Sequence, residues 1–354
     1  MIASSRPADQ LTPTRAEVRP GAARWQRELA DAITDPSELL EIAGLGTDWL
    51  EAARSAAAVF PLRVPRSYAA RIRPGDPADP LLRQVLPIGA ELATPPGYVA
   101  DPVGDLASLA GGGVLRKYEG RALLIATGAC GVHCRYCFRR EFPYGDQLAS
   151  ARRWAGAVEA IAADPTITEV ILSGGDPLSL ADHKLAELTA ALAGIPHLRR
   201  LRIHTRQPVV LPSRVDDGLL AWLHGLPWPV AVVLHANHAN EIDASVAAAA
   251  ARLRDAGATL LNQSVLLRGV NDSPDALAAL SERLFDAGIL PYYLHVLDPV
   301  RGSAHFDVPD EEARRLHATL TARLPGYLVP RLVREVPGAA HKVSIASVGT
   351  VPAG

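Results

Sequence analysis

The stretch ALLIATGACGVHCRYCFRREFPYGD, residues 122–146, holds a short apolar run and then every cysteine of the chain. ALLIATG (122–128) has the length and composition of a buried β-strand. Cys130, Cys134 and Cys137 follow just past its C-terminal end, at C-x3-C-x2-C spacing. Similar runs recur at EVILSGG (169–175), RRLRIHT (199–205), VAVVLHAN (230–237), ATLLNQSVLL (258–267) and ILPYYLHVLD (289–298). Amphipathic segments lie between them, near 151–163, 182–193, 214–224, 241–256 and 273–287. Strand alternating with helix predicts a parallel sheet with right-handed crossovers. Six such units predict an α/β fold, a partial (β/α)6 barrel open on one side, with a closed eight-stranded barrel as the alternative.

Outside this core the pattern changes. Residues 1–22 are Pro- and Ala-rich and are expected to be disordered. Residues 23–115 read as a helical N-terminal cap, with an Asp or Ser N-cap in DPSELL and Pro-rich turns beyond it. The barrel is expected over 116–300 and a C-terminal segment over 301–354. That segment begins with a helix near 309–323. Two extended pieces follow around a tight turn at Pro337-Gly338, expected to lean over the open mouth. Most polar residues of interest fall at the C-terminal ends of the runs: the cysteines, Gly174, Gly175, Asp176, His235 and Asp298. Parallel α/β sheets place ligand sites at this edge.

Composition narrows the class. Of 354 residues 48% are hydrophobic, enough for a large core, and the net charge is −2. That balance gives no sign of a nucleic-acid or membrane partner. No apolar run approaches transmembrane length, and the N-terminus lacks a secretory pattern, so a cytoplasmic location is expected. Only three lysines occur, Lys117, Lys184 and Lys342, against 36 basic residues. Arg replaces Lys on a solvated surface but cannot form an imine, so covalent amine chemistry has three candidates.

Three cysteines within eight positions, with none elsewhere, are hard to explain as core filling. An odd count argues against a disulfide framework. Zinc with His133 as fourth ligand stays open, although the usual C-x2-C pairs are absent. A cubane 4Fe-4S cluster on three cysteines would leave one iron open. The spacing resembles that of the radical S-adenosylmethionine (SAM) enzymes. FRREFPYGD narrows the resemblance to the lysine 2,3-aminomutase family. RYCFRREFPYG, PYYLHVLD followed by GSAHF, and GYLVPRLVREVPG are most similar to the subgroup that serves elongation factor P.

The resemblance implies a radical SAM barrel and a set of roles. Cys130, Cys134 and Cys137 would hold the 4Fe-4S cluster. SGGDPL (173–178) would place Gly174, Gly175 and Asp176 at the SAM amino group. His235 and Asn237, in LHANH, would be further SAM contacts, although a packed strand-end histidine explains His235 as well. VPGAAHK (336–342) would carry pyridoxal phosphate (PLP) on Lys342, with Ala339 and Ala340 where the family pattern has glycines. RKYEGRALL would bring Lys117, Tyr118 and Arg121, with Arg116 nearby, to the PLP phosphate; a solvated basic patch is the competing reading. Arg139 would grip the substrate carboxylate. Asp298 and Glu335 would hold the lysine ε-ammonium, unless Arg140 or Arg334 neutralises them. The implied reaction turns L-lysine, as (S)-α-lysine, into (R)-β-lysine, which a separate ligase attaches to elongation factor P. The implied electron donor is a flavodoxin or ferredoxin. Another amino-acid substrate, a radical SAM enzyme without PLP, or a zinc-binding barrel are the alternatives.

Overall fold

The computed structural model describes residues 21–110, 112–145 and 154–345. The disorder expected for 1–22 falls almost wholly outside them, as does the start of the amphipathic segment near 151–163. The six runs form β2 (Arg121–Thr127), β3 (Glu169–Gly174), β4 (Arg200–Thr205), β5 (Val230–His235), β6 (Thr259–Val265) and β7 (Leu290–His295). The helices between them span Ala155–Ala162, Asp182–Ala193, Asp217–His224, Ala244–Asp255 and Pro274–Asp286.

The nine strands of the described residues form one open sheet in chain order, so the closed barrel is excluded. β1 (Val114–Leu115) runs antiparallel to β2 at one edge. The tail departs from expectation. Its first extended piece, β8 (Arg331–Arg334), pairs in parallel with β7, and the helix Asp310–Arg323 is the crossover between them. Seven strands are therefore parallel rather than six. The chain then turns at Val336–Ala339, where Gly338 takes φ +77°, and β9 (Val343–Ser344) returns antiparallel on β8.

Strand periodicity sorts the side chains into two layers. Ala122, Leu124, Val170, Leu172, Leu201, Ile203, Val232, Leu234 and Leu260 face outward, into the core shared with Leu188, Leu223, Leu253 and Leu284 of the helices. The alternate positions Leu123, Ile171, Arg202, His204, His235, Gln263, Tyr293 and His295 face a cavity on the concave side. Burying an outward Leu or Ile is worth about 1.5–3 kcal/mol each, so a slip of one residue would be opposed along every strand.

The N-terminal part contributes short helices at Arg24–Ala30, Pro36–Ile42, Leu50–Val59, Arg66–Ala69 and Pro80–Arg83. Asp35 caps the second by accepting from the Ser37 amide. Their apolar cluster includes Trp25, Leu39, Tyr68 and Leu82. It also takes in Val132 from the cysteine loop, and Val210 and Leu211 from beyond β4. A buried ion pair joins the same parts. Arg135, fully buried, donates from Nε and Nη2 to the two Glu91 carboxylate oxygens at 2.8 and 2.5 Å. Arg140 Nη2 donates to Glu91 Oε2 at 3.0 Å. Both guanidinium carbons stand over the Phe60 ring, at 4.8 and 4.6 Å. Among the described residues no helix is long and apolar enough to cross a membrane.

Removing Glu91 would take the carboxylate partner from fully buried Arg135. Glu91→Ala is expected to lose about 3–5 kcal/mol of unfolding free energy, read as a lower urea midpoint. A loss below about 1 kcal/mol would mean that this pair does not anchor the cysteine loop.

Candidate active site

One cavity of about 600 Å³ opens at the C-terminal edge of the parallel strands. Every site residue named from the sequence lines it except Asn237 and Arg116: Cys130, Cys134, Cys137, Gly174, Gly175, Asp176, His235, Lys117, Tyr118, Arg121, Arg139, Asp298, Glu335 and Lys342. Lys184 lies on an exposed helix, paired with Glu187, so two of the three lysines face the cavity.

The cysteines are free thiols on the loop after β2. Burial pushes the Cys137 thiol up to about 11, with Cys134 adding to it, and drives Cys130 well above its ordinary value. Gly174 and Gly175 are required by close approach. Gly174 has φ +124°, and a Cβ there would sit 2.4 Å from Thr127 O; one on Gly175 would sit 2.4 Å from Ala129 O. The β3 exit therefore presses on the backbone that leads into the cysteine loop.

Asp176 lines the cavity from the loop after β3. Its carboxylate accepts from Leu178 N, Thr205 Oγ1, Arg206 N and Gln207 N at 3.0, 2.7, 2.7 and 3.0 Å. His235 presents one face to the cavity while Nε2 meets Tyr136 Oη at 2.8 Å, and burial pushes its pKa down to about 3. Asn237 is wholly buried away from the cavity, donating to Gln84 and Tyr136.

The charged groups form a chain. Lys342 Nζ is 2.5 Å from Glu335 Oε2, and Lys117 Nζ is 3.4 Å from Glu335 Oε1. Lys117 Nζ is also 2.6 Å from Asp105 Oδ1, whose other oxygen accepts from Arg139 Nε at 2.6 Å. Arg139 Nη1 donates to Ser173 Oγ at 3.1 Å. Burial pushes the Glu335 carboxyl up, but Lys342, Tyr118 and Lys117 together hold it below its ordinary range. Glu335 thus stands between two lysines rather than alone beside Asp298. Asp298 has no ion pair within 4 Å among the described residues, and burial raises it to about 7 against the pull of Lys342. Arg140 pairs with Glu91 and Arg334 with Asp310.

Arg116 is exposed and paired with Asp164. Arg121 Nε is buried without a hydrogen-bond partner, and its guanidinium lies 4.9 Å from the Tyr118 ring centroid. His204, His295, Tyr293, Gln263 and Asp105 line the cavity and were not singled out by sequence reading. Extending the strand alternation inward from the run ends would have found the first four. Burial drives His204 and His295 well below the ordinary histidine range, so both are neutral at pH 7.

The radical SAM superfamily description matches residues 124–280. An L-lysine 2,3-aminomutase of Escherichia coli (strain K12) is 49% identical over 327 residues, covering 92% of this chain and 95% of that protein. That of Haemophilus influenzae (strain ATCC 51907 / DSM 11121 / KW20 / Rd) is 46% identical, covering 90% and 94%. The chain belongs to the radical SAM lysine 2,3-aminomutase family. It is therefore an enzyme of the isomerase class, and membership implies a 4Fe-4S cluster and SAM. A third relative, the L-lysine 2,3-aminomutase of Clostridium subterminale, is 33% identical and is covered over 77% of its length.

The residues present fit the implied groups. Three thiols on one loop face a single cavity, with a tightly packed diglycine turn beside them. At the other end Lys342, Lys117 and Arg121 line the same cavity, and Arg121 Nε is buried without a hydrogen-bond partner among the described residues, so these residues could hold a phosphate-bearing group. Because the cysteines sit on a loop, Cys134→Ala is expected to abolish iron retention after anaerobic reconstitution and leave the far-UV circular dichroism unchanged. A full iron complement in that variant would contradict the assignment.

Proposed function

We propose that the protein is a PLP-dependent L-lysine 2,3-aminomutase that makes (R)-β-lysine for the modification of elongation factor P. One observation carries the reading: the three cysteines, Lys342 and the unpaired acid Asp298 share one cavity. The names of the relatives support the substrate. The higher identity to the Escherichia coli enzyme, 49% against 33% for the Clostridium one, supports the subgroup.

Cys130, Cys134 and Cys137 hold the cluster, and the diglycine turn leaves backbone room for the amino-acid end of SAM. When bound, cluster and SAM supply a 5′-deoxyadenosyl radical that removes a β-hydrogen, and PLP supplies the conjugated system that spreads the unpaired electron during nitrogen migration. Lys342 must lose a proton before its amine can bond to a carbonyl, and Glu335 Oε2, at 2.5 Å, holds and orients its nitrogen. Lys117, Tyr118 and Arg121 take the phosphate. Arg139, oriented by Asp105, takes the substrate carboxylate. Asp298 takes the distal ammonium. The reading includes a small flavodoxin or ferredoxin as electron donor, a cytoplasmic location, and neither nucleic acid nor membrane as partner.

Borohydride reduction of the PLP form followed by peptide mapping is expected to label Lys342. Label on Lys117 or Lys184, or none, would favour a radical SAM enzyme without PLP at this lysine. Asp298→Asn is expected to lower lysine kcat/KM by on the order of two powers of ten, from about 3 kcal/mol of lost pairing, while SAM and PLP binding persist. Asp298 is the charged partner only above its raised pKa. Lysine kcat/KM should therefore fall as pH drops through about 7, and Asp298→Asn should lose this limb. Norleucine, without the cation, turning over as fast as lysine would defeat the substrate assignment.

A further inference from the structure

Arg206 and Gln207 leave the end of β4 and turn toward the cysteine loop. Both are buried, at 6% and 0% exposure. Arg206 Nη1 donates to Cys134 Sγ at 2.7 Å and to Tyr136 Oη at 2.6 Å. Its Nη2 donates to Gln84 Oε1 at 2.6 Å and Glu241 Oε2 at 2.8 Å. Glu241 is the counter-charge, and it is shared: the Asn237 and His238 amides and Gln84 Nε2 donate to its other oxygen. One edge of a buried guanidinium is thus neutralised while the other faces a cysteine sulfur.

Gln207 supplies a second, separate observation. Both polar atoms of its amide are buried without a hydrogen-bond partner among the described residues. Leaving such groups unpaired is costly, so they point to an acceptor or donor that belongs beside them. The amide lies against Gly131, between Cys130 and Cys134; a Cβ there would sit 1.8 Å from Gln207 Oε1. The backbone amides of Arg206 and Gln207 are both fixed by Asp176 Oδ2.

We infer that Arg206, which donates to the Cys134 sulfur, and Gln207, whose unpaired amide packs on the loop between Cys130 and Cys134, are positioning residues that set the reduction potential of the cluster. The inference rests on the reading that Cys130, Cys134 and Cys137 hold the cluster. One-electron reduction adds a negative charge to the sulfur-bound iron. A cation and N–H donors at buried sulfur favour that charge, because the surroundings screen it weakly. Together they make the cluster easier to reduce. A scaffold role alone would alter folding or iron retention but not the potential of a fully loaded protein.

The test compares wild type, Arg206→Gln, Arg206→Lys and Gln207→Leu after anaerobic reconstitution. Iron content, far-UV circular dichroism and midpoint potential by EPR-monitored titration without SAM are measured. Arg206→Gln is expected to lower the reduced-to-oxidised ratio at fixed poise about tenfold, a negative shift of about 59 mV for a one-electron couple. Gln207→Leu should shift the same way by less, and Arg206→Lys should fall between wild type and Arg206→Gln. Wild-type midpoints in fully loaded Arg206→Gln and Gln207→Leu would overturn the inference. If Arg206→Gln fails to load, wild-type midpoints in Arg206→Lys and Gln207→Leu overturn it equally. A wild type without cluster signal would instead overturn the cluster reading beneath it.

Discussion

The Asp176 carboxylate accepts four hydrogen bonds, two of them from the consecutive backbone amides of Arg206 and Gln207. These bonds tie the exit of β3 to the exit of β4, and much of the site follows from them. The backbone amides of Gly175 and Asp176 hold the Gly174-Gly175 turn against the entry of the cysteine loop, donating to Thr127 O and Ala129 O, where any side chain would collide with backbone. The bonds to the Asp176 carboxylate aim Arg206 at Cys134 and Tyr136. Tyr136 in turn fixes His235 and Asn237, on the next strand and its loop. A carboxylate in this place does the work of a cross-brace, which neutral residues could not do with four donors around them.

Charge organises the other end of the cavity. Lys342, Lys117 and Arg139 share two anions, Glu335 and Asp105. The chain carries three cations and two anions, and Arg121 adds a further cation nearby. A positive surplus in a partly enclosed space suits a phosphate and a carboxylate together. Asp298 stands apart from that chain without an ion pair, so an incoming ammonium is its natural partner. On the proposed function the same cavity would hold anions at one group of side chains and a cation at another. An α,ω-diamino acid bound beside PLP requires that division.

Much of this was legible in the chain. Strand–helix alternation gave the parallel sheet, because each outward position repeats every second residue. Lysine scarcity made Lys342 visible, and the cysteine spacing was specific. The seventh parallel strand was missed because β8 is short. The helix Asp310–Arg323 that carries the chain to it was read apart from the barrel units. Asp105, Arg206 and Gln207 were missed for a different reason. Arg139 reaches Asp105 across 34 positions, and Arg206 reaches Cys134 across 72 and Gln84 across 122. Nothing local marks such partners, since burial and register across the fold create them. Glu335 was found but its neighbours were not. Its pairing with Lys342 and Lys117 depends on the turn at Gly338 that folds β9 back on β8.

The central claim is that one cavity joins radical generation to amine chemistry on lysine. Anaerobic turnover of L-lysine deuterated at C3, with SAM, PLP and dithionite, tests it most directly. The account predicts β-lysine as product and deuterium in the recovered 5′-deoxyadenosine and SAM. Cleavage of SAM with lysine unchanged and no deuterium transferred would contradict it.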